Sequence, residues 1–388
     1  MPKKLENIGP IKITIPEELY AFFEQDAKNF EFYDDDKEKF SINKFLSALI
    51  TGYFPVYHRK ISGQYAEIKK ILRDCIEDET KLNKAITCLI RSRAVNENRN
   101  LVRGKKRAIT IRPNSENVDT ITEINKAIRE TDETQADFYR RMFDSFCSLP
   151  MYEREKLIYH KETEKIGKAC KAQSEIVIQV RRNEQLLHYV IVPYKLVHGL
   201  DERFNYLLAQ EFSNQENGPL AVTFRLSRVS VSLESGPVRK IEPSVLEHLQ
   251  MMESYSPQYS INDDKEILIE LTKAGLDSYR RIYHDRPHYT SIDLTENGKA
   301  ICHFLCSMDQ LYFYFRQFNP GEAVVLNSND LSKALYDFHL NHLVKLDRQL
   351  GLSAGSDALF YPNENQQASA KFNELKELIA AHFKKLRC

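Results

Sequence analysis

A short motif occurs twice in the chain and limits the folds that its N-terminal half can adopt. Residues 11–16, IKITIP, alternate apolar and polar positions, and residues 108–113, AITIRP, repeat the pattern. Alternation with a period of two is typical of a strand with one buried face. Two amphipathic helical segments follow each copy of the motif. The first repeat ends in FPVYHR, residues 54–59, and the second ends in LPMYER, residues 149–154. One strand and two helices cannot bury their own apolar faces, so we expect the copies to pair their strands into an antiparallel ribbon.

Length and composition indicate a multidomain protein that works in water. A chain of 388 residues exceeds one ordinary core, and two or three domains are expected. The first ten residues, MPKKLENIGP, lack the apolar stretch of a secretory signal. No apolar run reaches the roughly 20 residues of a membrane-spanning helix. The seven cysteines are scattered and odd in number, which favours reduced thiols and a cytoplasmic location.

Charge is balanced overall but clustered locally. The chain has 55 basic and 55 acidic residues, which argues against general binding of polyanions. Residues 91–112, in contrast, contain eight Lys or Arg and one Glu. A basic arm in a neutral protein indicates one specific anionic surface, with nucleic acid as the leading candidate. A solvated loop without a partner is the alternative.

The repeated unit resembles the ribbon-helix-helix family, over residues 10–60 and 105–160. Members of that family normally pair two chains, and DNA-binding members place the ribbon in the major groove. Here the ribbon can form within one chain or by exchange between two. A structural ribbon that binds no nucleic acid is the alternative. The nucleic-acid-binding residues expected on the ribbon and the basic arm are Lys12, Thr14, Lys105, Lys106, Arg107, Thr110 and Arg112.

The middle of the chain predicts several short, bent strands. In TFRLSRVSV, residues 223–231, the apolar positions are even in the first half and odd in the second. The phase changes between Ser227 and Arg228, as in a strand that turns a corner and swaps its inward face. Four or five such strands in succession suggest a small barrel.

Three segments of this region resemble the WYL family, whose domain is a small Sm-like barrel. They are VPYKL at residues 192–196, NYLLA at 205–209 and FRLSR at 224–228. Asn205 replaces the Trp of the family signature, and the chain has no Trp. The resemblance implies a module that binds RNA or a ligand through Lys195, His198, Arg203, Tyr206, Arg225 and Arg228. Structural pairing of the two last arginines with acids such as Glu211 or Asp201 is the alternative.

The C-terminal part predicts the element order β-α-β-β-α-β, which is ferredoxin-like and resembles the extension that often follows a WYL domain. A terminal amphipathic helix is expected at residues 371–386. The fold class is therefore α+β, with three domains. We expect a ribbon-helix-helix-like region with a helical insert at residues 1–165. The WYL Sm-like barrel spans residues 166–240, and a linker helix with the ferredoxin-like extension spans residues 241–388.

Motifs for catalysis are missing from the sequence. It contains no phosphate-binding loop, dinucleotide fingerprint, HExxH or nucleophile elbow. One metal-like group can be assembled from Cys302, His303 and Cys306 with His284 and His288. Even spacing along a strand makes burial of Cys302 and Cys306 in a core the favoured interpretation. We expect no enzyme activity, no metal and no cofactor.

The combination resembles the accessory WYL proteins encoded beside type VI-D CRISPR effectors. That resemblance implies a cytoplasmic regulator that binds single-stranded RNA and modulates an RNA-guided CRISPR ribonuclease. A ligand-sensing, DNA-binding transcription regulator is the alternative, and an RNA-processing enzyme is a third. A homodimer is expected, because both the ribbon-helix-helix unit and the extension commonly pair.

Overall fold

A computed structural model describes residues 9–33, 40–101, 104–131, 133–182, 185–199, 203–212, 218–233, 236–255, 257–261, 265–283, 286–295 and 297–350. The chain forms two compact units, Met1–Asp263 and Asp264–Cys388. In these ranges no helix is long and apolar enough to cross a membrane. The helix expected at residues 371–386 lies outside them.

The N-terminal part of the first unit is mostly helical. Its elements are β1 (Ile11–Pro16), α1 (Glu17–Asn29), α2 (Ile42–Arg73), α3 (Glu79–Leu101), β2 (Lys106–Ile111), α4 (Val118–Thr131), α5 (Gln135–Cys147), α6 (Met151–Ile158) and α7 (His160–Ala172).

Local signals explain where several of these helices begin. The hydroxyl of Ser41 accepts a hydrogen bond from the Lys44 amide at 3.4 Å and caps α2. Thr134 caps α5 in the same way, at 3.1 Å from the Asp137 amide. Helix α2 continues through Pro55 for 32 residues, so FPVYHR lies inside a helix and does not end one.

The ribbon and its helices share one core. It contains the buried isoleucines of both strands and an aromatic cluster from α1, α2 and α5. Phe23, Phe45 and Phe143 are fully buried, and the rings of Phe23 and Phe143 meet edge to face at 5.2 Å between centroids. The two sequence repeats thus bury each other, as the pattern requires.

The rest of the first unit is a five-stranded antiparallel sheet between two helices. Its strands are β3 (Ile176–Arg182), β4 (Gln185–His198), β5 (Asn205–Glu211), β6 (Leu220–Arg225) and β7 (Val229–Leu233), in the order β6-β5-β4-β3-β7. Helix α7 packs on one face through Ile166 and Ala169. Helix α8 (Pro243–Tyr255) packs on the other through Val245, Leu249 and Met252.

The phase change in TFRLSRVSV separates two strands. A 3-10 turn, Leu226–Arg228, follows β6 and carries the chain to β7. Strand β6 pairs with β5, whereas β7 pairs with β3 at the opposite edge of the sheet. The prediction of a single bent strand is therefore wrong. The closed barrel is not found, since no pairing joins β6 to β7 in the described residues and the sheet remains open there.

The second unit has the predicted element order. Its elements are β8 (Ile267–Leu271), α9 (Lys273–Arg281), β9 (Ser291–Leu294), β10 (Ala300–Phe304), α10 (Met308–Phe315), β11 (Ala323–Val325) and α11 (Asn329–Leu350). The antiparallel sheet has the order β11-β8-β10-β9, as in a split βαβ arrangement. The α+β class is confirmed.

Candidate nucleic-acid interface

The ribbon forms within a single chain. Strands β1 and β2 pair antiparallel, with Ile11 opposite Ile111 and Ile13 opposite Ile109. All four of these side chains and Ile15 are buried against the helices, because positions two apart share a face. Of the two routes left open by the sequence, the structure takes the internal one, and exchange between chains is not needed.

The opposite side of the ribbon faces solvent, and we call it the ribbon face. Lys12 lies directly opposite Thr110, and both are on this side together with Thr14. It consists of Lys12, Thr14, Lys106, Ala108, Thr110 and Arg112, all exposed except the half-buried Thr110. Five of the predicted site residues therefore lie on one surface.

The cations of the ribbon face are not neutralised. In the part of the chain that the structure describes, the side chains of Lys12, Lys106 and Arg112 have no ion pair and no hydrogen bond. Exposed cations without ion-pair partners raise the local positive potential, which attracts phosphates. The small side chains of Thr14 and Ala108 between them allow close approach of a ligand.

Two predicted residues at the start of β2 have different surroundings. Arg107 lies opposite Ile15, and its guanidinium carbon is 3.7 Å from the centroid of the Tyr20 ring. Its Nη1 is also 3.5 Å from Glu17 Oε1. Arg107 therefore joins β2 to α1 and is not on the ribbon face. The Lys105 side chain is exposed, and its carbonyl accepts from the Glu17 amide at 3.0 Å.

The basic segment of residues 91–112 is not an arm. Its first part is the end of α3 and its last part is β2. Arg93 pairs with Glu97 at 2.9 Å, and Arg91 also has a partner. Arg103 lies outside the described residues. The basic residues that are close in sequence are therefore distributed over α3 and β2, and only some of those at β2 contribute to the ribbon face.

Helix α5 holds the backbone of the ribbon in place. Arg140 Nη1 donates to the Thr14 carbonyl at 2.8 Å, and Nη2 pairs with Asp137 at 2.5 Å. The Arg140 side chain is only 12% exposed, so this contact is shielded from water. A fixed backbone keeps the side chains of the ribbon face at constant spacing.

The arginines of the sheet are engaged within the chain. Arg225 donates through Nη2 to the Asn29 carbonyl, and its guanidinium carbon is 3.5 Å from the centroid of the Phe204 ring. Its Nη1 lies 3.8 Å from Glu31 Oε1. Arg228 binds the same carboxylate through Nε at 2.8 Å. The alternative of structural pairing is therefore what these contacts favour, with Glu31 and Asn29 as the partners. Asp201, one of the acids named for that alternative, lies outside the described residues.

A buried carboxyl group lies beside these arginines. Glu155 of α6 is fully buried, and its Oε2 accepts from the Asn205 backbone amide at 2.6 Å and from Asn205 Nδ2 at 2.8 Å. Burial raises the pKa of Glu155, while the hydrogen bonds from Asn205 and the charge of Arg225 act in the opposite direction. Asn205, which replaces the signature Trp, is thus a buried donor that links the sheet to α6.

The remaining candidates in the sheet are also occupied. Lys195 pairs with Glu253 of α8, and this contact raises the pKa of Lys195. The ring of His198 stacks on Tyr152, with centroids 4.4 Å apart. Arg203 and Tyr206 already have interaction partners, and Tyr206 lies opposite Arg225 in the sheet.

The metal-like group of the second unit is not assembled. Cys302 and Cys306 are buried in the core, where burial raises the pKa of Cys302 to about 11. His303 faces the opposite side of β10 and contacts Glu266 and Asp293. The described residues contain no group of three or more potential ligands, and His284 lies outside them.

Glu31 and Asn29 were not among the predicted functional residues. They follow the apolar face of α1 and are 197 and 196 positions from the arginines they bind. Glu31 adopts a positive φ of 60° after the helix, a conformation that the sequence does not signal. Contacts over such separations carry no periodic pattern, so sequence analysis cannot find them.

One comparison with a solved structure shows the fold of this chain. A protein described as a CRISPR Cas-related protein superimposes with a TM-score of 0.66, over 90% of this chain and 98% of that chain. The chain shares its fold. The two sequences are 16% identical, so the likeness concerns architecture alone.

Other comparisons add little. Proteasome accessory factor B/C of Arthrobacter aurescens aligns with 16% identity over 66% of this chain and 35% of that one, with a TM-score of 0.26, too low to indicate a shared fold. No family model and no curated protein matches the sequence.

Proposed function

We propose that the protein is a non-catalytic, cytoplasmic regulator that binds single-stranded RNA and modulates an RNA-guided CRISPR ribonuclease. The observation that carries the proposal is the ribbon face, where Lys12, Lys106 and Arg112 are exposed and unpaired in the described residues. Exposed cations on a two-stranded surface attract the phosphate backbone of a nucleic acid.

Architecture supports this proposal. In this proposal the ribbon with its helices is a ribbon-helix-helix-like unit. The five-stranded sheet, which contains the motifs VPYKL, NYLLA and FRLSR, is a WYL-like module. The fold is also that of a protein described as CRISPR Cas-related, which is our reason for preferring RNA. In this proposal Arg225 and Arg228 hold the module to α1, and the ribbon face makes the first contact with RNA.

Duplex DNA is the alternative ligand. An exposed two-stranded ribbon fits the major groove, where Lys12, Thr14 and Thr110 are placed to reach base edges. In that case the protein is a transcription regulator. The two ligands differ in the salt dependence of binding and in the effect of Thr14 and Thr110. The threonines are uncharged, and in the DNA alternative they contact base edges.

The test is fluorescence anisotropy with labelled single-stranded RNA and duplex DNA across a salt series. Each phosphate contact to a single strand contributes about 0.7 to the logarithmic salt slope. Replacing Lys12, Lys106 and Arg112 by alanine should therefore weaken RNA binding roughly 50-fold at about 0.15 M salt and reduce the slope by about 2. Thr14→Ala with Thr110→Ala should have little effect on RNA.

A matched control removes the same charge elsewhere. Lys70, Lys81 and Lys84 are exposed on α2 and α3, and the last lies about 25 Å along α3 from the end nearest β2. Their replacement by alanine should leave binding unchanged. If both triple variants lose RNA affinity equally, the effect reflects net charge and not the ribbon face. If the protein binds duplex DNA more tightly than RNA, the transcription regulator is favoured.

Arg225 and Arg228 provide a second comparison. Because both are bound to α1, Arg225→Ala with Arg228→Ala should lower stability more than it changes the salt slope. If the double variant is folded, keeps an intact ribbon face and still loses RNA binding, the RNA site lies on the sheet.

Modulation of a ribonuclease is tested separately. The measured quantity is the rate at which an RNA-guided CRISPR ribonuclease cleaves its target with and without the protein.

A further inference from the structure

The second unit contains a cavity of about 390 Å³ between α9 and the edge strand β9. No residue considered so far for nucleic-acid binding lines it. Its lining residues are Leu276, Tyr279, Arg280, Arg286, His288, Tyr289 and Ile292. We call it the Tyr289 pocket. Its volume lies within the range of about 300–1,000 Å³ typical of small-molecule sites.

The pocket exists because the helices do not cover the whole sheet. Ile292 lies opposite Cys302 in the pairing of β9 with β10, so both side chains are on the same face. Cys302 is fully buried beneath the helices, whereas Ile292 is 37% exposed. The apolar face of the sheet thus continues past the helix layer and forms an open floor beside α9.

The walls of the pocket are fixed by buried hydrogen bonds. The Tyr279 hydroxyl donates to the Pro287 carbonyl, which holds the segment containing Arg286 and His288 against α9. The Tyr314 hydroxyl lies 3.0 Å from the Tyr279 carbonyl oxygen and 2.8 Å from that of Ile282, and its single hydrogen is shared between them. A ligand therefore meets side chains whose backbones are already in position, which lowers the entropic cost of binding.

The rim is basic and its charge is available. Arg286 lies with its guanidinium carbon 5.5 Å from the centroid of the Tyr279 ring, and in the described part of the chain it has no ion pair. The Arg280 side chain is 76% exposed and lies 3.9 Å from that of Asp277, which is 68% exposed, so water screens the contact. Asp293 points away, because neighbouring positions of β9 face opposite sides.

An aromatic ring stands beside this charge. Tyr289 is 40% exposed, and its centroid is 5.8 Å from that of Tyr279 on one side. The exposed part of the ring offers a flat apolar surface in a pocket that Arg286 and Ile292 also line. Arginine forks bind phosphates, and tyrosine faces stack on unpaired bases. Phosphate and base are separated in a nucleotide by a sugar, and the pocket is large enough for all three.

We propose that the Tyr289 pocket binds a nucleotide, with the phosphate on Arg280 and Arg286 and the base against Tyr289. The nucleotide is either a free mononucleotide or one residue of a single-stranded RNA. This site is independent of the ribbon face, so it does not rest on the function proposed above.

The first measurement is calorimetric titration of the full chain with UMP, AMP, uridine and inorganic phosphate. A nucleotide should bind more tightly than either uridine or phosphate, because only it uses both parts of the pocket. Arg286→Ala should weaken binding at least about tenfold, and Tyr289→Ala at least about fivefold. Tyr289→Phe keeps the ring and should bind normally. Lys273→Ala removes an exposed cation from the same helix, α9, and should also have no effect.

The second measurement identifies the source of the nucleotide. Single-stranded RNA containing 4-thiouridine is irradiated with the protein, and the crosslinked peptide is sequenced. A crosslink in residues 286–292 that is lost in Tyr289→Ala, without mononucleotide binding, assigns the pocket to RNA. Mononucleotide binding without a crosslink assigns it to a free ligand.

Failure of the two proposals can be told apart. The triple variant of the ribbon face should leave mononucleotide binding unchanged, whatever its effect on RNA. If neither mononucleotides at millimolar concentration nor RNA engage the pocket, or if Arg286→Ala and Lys273→Ala behave alike, the nucleotide site is overturned even where RNA binding by the ribbon persists.

Discussion

At the scale of single residues, the same side chain has different roles according to its neighbours. Arg112 on the ribbon face has no partner in the described residues, whereas Arg225 has a carbonyl, a carboxylate and an aromatic ring around it. From the sequence alone, both arginines are equally good candidates for phosphate binding. Only the number of partners already present separates a residue that holds the fold together from one that can bind a ligand.

His303 shows how such neighbours set a protonation state. Its Nδ1 lies 2.8 Å from Glu266 and its Nε2 lies 2.9 Å from Asp293. Hydrogen bonds to Glu266 and then to Asp293 raise the pKa of His303, since the protonated ring donates to both. The ring therefore links β9 to the residue that precedes β8, most strongly when it is charged.

This contact predicts a pH dependence of the second unit. A histidine whose pKa is raised by folding contributes stability that is complete below its ordinary pKa of about 6.5 and is lost as the pH rises through the raised value. An NMR titration should give a His303 midpoint above about 6.5, and Asp293→Asn should lower it. A midpoint at or below the ordinary value in the intact protein would contradict the contact.

At the scale of elements, one glycine decides how closely two helices approach. A Cβ atom on Gly52 of α2 would lie 1.9 Å from the Leu157 carbonyl oxygen of α6. Because that neighbour is backbone, it cannot move aside as the end of a flexible side chain would. Helix α6 also carries Arg154, whose ion pair with the buried Asp26 joins α6 to α1.

Gly52→Ala should destabilise the protein by about 1–3 kcal/mol, measured by urea unfolding. The same helix offers a matched control, because Gly63 has no atom within 4 Å of the Cβ position. Gly63→Ala should be neutral or stabilise by up to about 1 kcal/mol, through higher helix propensity. The close approach is refuted if the two substitutions have the same effect.

At the scale of the whole molecule, the internal ribbon changes what dimerisation requires. The two repeats supply both strands, so a homodimer, which we still expect, does not need to exchange β1 or β2. Sedimentation velocity at micromolar protein should give twice the mass of 45.3 kDa. Far-ultraviolet circular dichroism should remain unchanged on dilution to the monomer. A monomeric mass at micromolar concentration would contradict the expected dimer, and loss of structure on dilution would contradict the internal ribbon.

Periodic patterns in the sequence predicted the elements and much of their order. The alternation of IKITIP and AITIRP predicted paired strands with Lys12, Thr14, Thr110 and Arg112 outward, and those positions do face out. The order of elements in the second unit was also predictable, because the spacing of apolar residues identifies each helix or strand and turn residues separate them. A side chain's face follows from the local backbone, so it needs no knowledge of distant residues.

Only the tertiary structure decided which charges are free. Arg225 and Arg228 meet Asn29 and Glu31 from 196 and 197 positions away, and the phase change beside them is a 3-10 turn between strands at opposite edges of one sheet. The Tyr289 pocket likewise arises where α9 fails to cover β9. Partners of this kind come together through packing of whole elements, and packing leaves no repeating signal along the chain.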